Sequence, residues 1–158
     1  MVKMTMKTKV FVISLLCALG ACSSPSKDTT LPDILPAGDD TAPLNCQEYP
    51  RGGAIFFDYL FTDDSELGAY NLEVHNNFDH HTHSTEAGEC RQDAVKQPVN
   101  PWIYNQSFSI PSGSTSFEAR QTIAVPSDVD PGEYHFMIRL TDRSGWQQLK
   151  SLSIRILE

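Results

Sequence analysis

The stretch Val74-His-Asn-Asn-Phe-Asp-His-His-Thr-His-Ser84 holds His75, His80, His81 and His83, four of the five histidines in the chain. Neutral imidazole suits Zn²⁺ and Cu²⁺, which take three or four such ligands at about 2.0–2.1 Å. His81 and His83, two residues apart, share a face if the chain there is extended. His80 and His83 share one in a turn. Asp79 can ligate directly or orient a ring by accepting its second N–H. The fifth histidine, His135, stands far along the chain in Gly132-Glu-Tyr-His-Phe136. The competing reading is a hydrophilic loop whose imidazoles simply titrate near pH 6.5, roughly their free value. That explains a lone histidine better than a cluster.

Other chemistries find less support. The run lacks the further Asp-His of metallo-hydrolase H-x-H-x-D-H patterns. Ser84 follows the histidines without the G-x-S-x-G elbow and the strand–turn–helix setting that expose a nucleophile. No enzyme is expected. Asp63, Asp64, Asp128, Asp130 and Asp142 fall in turn-like positions and offer oxygens of the kind Ca²⁺ takes, although acidic residues commonly serve turn geometry alone. Trp102, Tyr104 and Trp146 suggest a glycan-stacking platform or, for at least one of them, core packing.

The elements that must position the histidines read as short strands. Phe57, Tyr59 and Phe61 alternate with polar or less buried neighbours, as do Tyr70, Leu72 and Val74. A less clearly patterned strand lies near 102–109, and Phe117, Ala119, Gln121, Ile123 and Val125 mark another. Tyr134, Phe136, Ile138 and Leu140 give the clearest alternation, and Leu152, Ile154 and Ile156 close the chain. Turn residues separate them, and no long stretch shows a helical period. Such spacing predicts an antiparallel β-sandwich or barrel. Tyr134, just after Asp130-Pro-Gly132, resembles the tyrosine corner of Ig-like sandwiches, whose hydroxyl bonds back to the preceding connection. The expected architecture is therefore all-β, an Ig-like sandwich of about seven strands. Its strands run at about 53–61, 69–76, 102–109, 115–125, 133–141 and 147–157, with a long connection over 77–101.

That topology gives the histidines an address. With Tyr70, Leu72 and Val74 inward, His75 points outward; with Tyr134 and Phe136 inward, so does His135. The two strands are antiparallel neighbours in such a sandwich, so His75 and His135 become cross-strand partners. If the following loop folds back over that face, Asp79, His80, His81 and His83 join them. The ranked ligands are His75, His81, His83 and His135.

The N-terminus implies where this happens. Lys3, Lys7 and Lys9 precede the apolar run Val10–Leu19, a signal peptide too short to span a bilayer. Leu19-Gly-Ala-Cys22 resembles the bacterial lipobox, which implies cleavage after residue 21 and acylation of Cys22. Removing residues 1–21 takes three lysines and no acids, moving the formal charge from −8 to −11. So acidic a body argues against nucleic-acid partners, whose phosphates need a basic face. Residues 22–45 are rich in Pro, Ser, Thr and Asp and are expected to form a mobile tether reaching roughly 70 Å. Lys27-Asp28 resembles a surface-export signal, and Asp28-Thr29-Thr30 and Asp40-Thr41-Ala42 resemble O-glycosylation motifs, of Bacteroidota lipoproteins. Cys46 and Cys90 remain as a pair in an oxidising compartment, where a disulfide is expected. The folded domain is expected to span 46–158.

Gly53 with its aromatic strand, Asp63/Asp64 and Leu67 before Tyr70, the histidine run, Ile123 and Pro126, Gly132-Glu-Tyr-His-Phe136, and Thr141-Asp142 with Gly145 together resemble a family of Bacteroidota lipoproteins. That family carries an Ig-like domain of unknown function. The resemblance covers most of residues 44–158 and implies fold and location, with no activity attached. Two functional classes follow. One is a metal-binding lipoprotein of the outer membrane, facing the periplasm or the cell surface, that captures Zn²⁺ or Cu²⁺ or hands it to an outer-membrane transporter. The other is a structural or adhesive Ig-like module that binds a protein or glycan, with incidental histidines.

Overall fold

A computed structural model describes residues 28–82 and 90–158. Eight strands form two sheets, with no helix among the described residues. They are β1 (Asp33–Pro36), β2 (Gln47–Pro50), β3 (Ala54–Thr62), β4 (Leu67–Asn76), β5 (Tyr104–Ser109), β6 (Ser116–Ala124), β7 (Gly132–Asp142) and β8 (Gln147–Leu157). The smaller sheet runs β1-β3-β6 and the larger β2-β8-β7-β4-β5. Every ladder is antiparallel except the parallel β2–β8 pair. The chain is a β-sandwich.

Alternation along the strands builds the core. Phe57, Tyr59 and Phe61 of β3 meet Tyr70 of β4 and Phe136 of β7 in one aromatic cluster, with Phe57 stacked on Phe136 at 5.9 Å and on Tyr70 at 6.3 Å between centroids. Period-2 burial leaves Phe56 out on the opposite face, 67% exposed. The six strands expected from alternation all occur, each within two residues of the expected bounds. Tyr134 Oη donates to the Asp130 carbonyl at 2.7 Å and accepts from the Trp102 amide at 3.2 Å. That is the back-bond anticipated for this tyrosine. Trp102 is a core residue, 4% exposed, so no platform of Trp102, Tyr104 and Trp146 forms.

Strands β1 and β2 escape a reading based on pattern. Each has four residues, ends in proline and buries at most one side chain, so neither shows a readable alternation. Both are edge strands, where a missing N–H costs no ladder bond. The segment expected to be a tether therefore departs from that expectation from Asp28 onward. β1 pairs with β3 through Asp33–Pro36, the Asp58 amide donates to Ala42, and Tyr59 Oη donates to the Pro43 carbonyl at 2.6 Å. Backbone pairing, which composition does not report, holds this polar stretch against the sandwich. The signal peptide, Cys22 and Lys27 lie outside the described residues.

Candidate metal centre

Strand pairing sets the first two ligands. In the β4–β7 register His75 stands opposite His135, on the face turned away from the core. Their rings are 5.4 Å apart between centroids. The third comes from the connection that follows β4. Asn77 continues the ladder through its amide to Glu133 O, and the His80 amide closes a turn onto Asn77 O. His80 adopts φ 59, a left-handed conformation that histidine tolerates better than most residues. Phe78, 3% exposed, plugs the end of the core and meets the Tyr134 ring edge-on at 5.3 Å. Lys96 caps its other face, with Nζ 4.3 Å from the ring centroid. Gly132 makes room: a Cβ there would sit 3.0 Å from Phe78 Cε1, and φ +133 is itself glycine territory.

The anchored turn lays His81 over the pair. Its ring lies 5.5 Å from His75 and 5.1 Å from His135 between centroids, and one ring nitrogen from each of the three lies within 4.8 Å of the others. His135, expected to point outward, does face away from the core. It is nonetheless only 2% exposed, because the returning loop covers it and its Nε2 donates to the His81 carbonyl at 3.1 Å. The side chains of His75 and His81 keep 22% and 33% exposure. One edge of the cluster is thus buried and the other open.

Hydrogen bonds set the tautomers. His75 Nδ1–H donates to Glu73 Oε1 at 3.1 Å, and His81 Nδ1–H to Asp79 Oδ1 at 2.5 Å. Both place the ring lone pair on Nε2. His135 donates from Nε2, which places its lone pair on Nδ1. The His81 ring beside Asp79 holds that carboxyl below the usual aspartate range. Tetrahedral bonds of about 2.05 Å put ligand nitrogens about 3.3 Å apart, so modest ring rotations would close the three onto one Zn²⁺ or Cu²⁺. The open edge leaves a fourth position for water or an incoming ligand.

The remaining candidates separate. His80 leaves the cluster: its Nε2 lies 3.3 Å from Glu133 Oε2, on an ion network in which Arg155 holds both Glu133 and Asp93. Asp79 serves as an orienting acceptor. His83 and Ser84 lie outside the described residues. Cys46 and Cys90 form the expected disulfide. Asp130 spends Oδ2 on the Val99 and Asn100 amides, so its turn needs no cation. Glu73 is a participant that motif reading missed. It lies two residues before His75 on an alternating strand, hence on the same face, and that spacing was the available signal.

The profile of a domain of unknown function, DUF4625, matches residues 20–157. The chain belongs to the DUF4625 family. No curated protein matches it. The DUF4625 assignment covers the sandwich and the histidine loop together and brings no activity to either.

Proposed function

We propose that this protein binds Zn²⁺ or Cu²⁺ at His75, His81 and His135 as an Ig-like, lipid-anchored, non-enzymatic lipoprotein of the outer membrane. The observation that carries the reading is the convergence of three imidazoles from two paired strands and a returning loop. Two of them are held in a ligating tautomer by Glu73 and Asp79. A cross-strand pair of histidines is common; a third ring brought over it by an anchored turn, with carboxylates accepting the ring N–H groups and so fixing which nitrogen is free to ligate, is how metal sites hold their histidines. The half-open edge suits capture and transfer to a partner, such as an outer-membrane transporter, better than a closed structural site. The lipobox-like Leu19-Gly-Ala-Cys22 supports the anchor, and through Cys22 the protein would be held at the membrane it serves.

The test is calorimetric titration of the untagged chain from residue 23 onward with Zn²⁺ and Cu²⁺. One site tighter than about 0.1 mM, or about 5.5 kcal/mol of binding free energy, is expected for at least one metal. His81→Ala should weaken it at least tenfold, while His80→Ala should leave it within about twofold, since a lost ligand is worth more than 1.4 kcal/mol. Binding weaker than that threshold for both metals, or untouched by His81→Ala, returns the protein to the adhesive reading.

A further inference from the structure

A second cluster lies at the other end of the sandwich. Asp28 precedes β1, Asp63 follows β3, and Asp142 ends β7. One carboxylate oxygen from each lies within 4.8 Å of the others. Acidic residues gather on many surfaces without consequence, so the state of each oxygen matters. Each residue uses Oδ1 locally: Asp28 accepts from the Thr30 amide at 3.0 Å, Asp63 from the Ser65 amide at 2.7 Å, and Asp142 from the Trp146 amide at 2.7 Å. Each keeps an Oδ2 shielded from solvent with no partner at full hydrogen-bond geometry among the described residues, although the Thr30 amide, helped by the Ser144 and Asp142 side chains, holds the Asp28 carboxyl below the ordinary aspartate range. Asp142 is only 4% exposed. An ionised oxygen that is buried and unsatisfied carries its full desolvation penalty, and three together add mutual repulsion. Burial pushes the Asp63 carboxyl up, the Ser65 amide offsets part of that, and the charges of Asp28, Asp142 and Asp64 push it further. No cationic side chain pairs with any of the three among the described ion pairs.

We propose that Asp28, Asp63 and Asp142 form a Ca²⁺ site that fastens the N-terminal segment to the domain. Ca²⁺ takes oxygens at about 2.3–2.6 Å, so ligands up to roughly 4.8 Å apart can share one ion. Three carboxylates on separate backbone segments, with water completing the shell, fit its flexible coordination. Mg²⁺ more often takes one or two carboxylates and keeps most of its water. Sequence reading flagged Asp63 and Asp142 as turn acids and set Asp28 in a tether; the fold brings the third to the other two. Trp146 Nε1 donates to the Asp28 carbonyl at 3.1 Å, already laying that segment beside the site.

The placement has a consequence for orientation. Asp28 follows Cys22 by six positions, a span of at most about 20 Å. Along β7 the site is seven residues from His135, or about 23 Å at strand spacing. A chain anchored at Cys22 and clamped at Asp28 would hold the acidic end near the membrane and the histidine cluster away from it.

The experiment titrates the chain from residue 23 onward with CaCl₂ and MgCl₂, followed by calorimetry and by tryptophan fluorescence, since Trp146 touches the site. One Ca²⁺ should bind with a Kd of roughly 10⁻⁴–10⁻³ M, the range of extracellular modules, and shift the emission. Asp28→Asn and Asp63→Asn, which keep size and lose charge, should each weaken binding at least tenfold. Asp28→Asn lies upstream of every strand and tests the ligand without endangering the fold. His81→Ala should leave Ca²⁺ binding unchanged, so the two sites succeed or fail separately. No heat of binding up to about 10 mM Ca²⁺, well above that range, overturns the proposal. So does Mg²⁺ binding more tightly than Ca²⁺, or both Asn variants binding as the parent does.

Discussion

Removing the Cys46–Cys90 disulfide by a double Cys→Ser substitution tests how the histidine face is held together. The bridge closes a sequence separation of 44 residues. In the chain-entropy model that loop costs the unfolded state about 13 cal/mol/K, or about 4 kcal/mol at 25 °C. Part is offset in the native state, because Cys46 sits at φ 66, a left-handed conformation worth about 1 kcal/mol of strain that the freed chain can relax. The expected net loss is about 3 kcal/mol, a large fraction of the 5–15 kcal/mol typical of a domain. In urea at an m-value of about 1.5 kcal/mol/M, the midpoint should fall by about 2 M. The effect should also reach the histidine cluster. The Cys46 amide donates to Ser153 O, and Ser153 is the β8 neighbour of His135. The bridge therefore staples the long connection one strand away from the cluster. Serine avoids the thiols that would themselves bind zinc, so the same variant can be titrated with Zn²⁺ and should bind at least tenfold more weakly. A stability loss below about 0.5 kcal/mol would refute the entropy argument, since ln n for this loop leaves no room for so small a value. Undiminished Zn²⁺ binding would show that Phe78 and the turn hold His81 without the staple.

Phe78→Ala should cost about 3–5 kcal/mol in urea unfolding and, by releasing the turn that presents His81, lower Zn²⁺ affinity more than the distant Ile156→Val does. Tyr134→Phe removes the bond to Asp130 O and leaves the Trp102 amide without its acceptor; a loss of about 1–3 kcal/mol is expected, again from urea midpoints. Arg155→Ala strips the guanidinium from Glu133, which is 7% exposed and keeps only the Asp93 amide and His80, and should destabilise by about 3 kcal/mol. The Asp63 carboxyl is raised above its ordinary value, chiefly by burial. Ionised, it subtracts stability at neutral pH, and the penalty fades as pH falls through the folded value toward the unfolded 3.8. In chelator, Asp63→Asn should therefore raise the urea midpoint at pH 7, with the gain shrinking in acid.

Much of this molecule was legible in the chain alone. Period-2 alternation in Ala54–Thr62, Leu67–Asn76 and Gly132–Asp142 fixes which side chains face inward, because a strand turns successive residues to opposite faces. Inward Val74 and Phe136 then put His75 and His135 on the outer face, and antiparallel pairing set them opposite each other. The even pair Cys46 and Cys90 announced a disulfide. Tertiary structure alone decided the rest. Spacing ranked His81 above His80 as a ligand, but local sequence held nothing to say that the loop would return over the strands or that His80 would turn to Glu133. That choice rests on Phe78 finding the gap beside Gly132 and on Arg155 holding Glu133 from another strand. Nor did composition show that Asp28 and the proline-containing stretch after it would dock. Edge pairing uses backbone amides and carbonyls, which every residue carries alike, so a hydrophobicity pattern cannot register it.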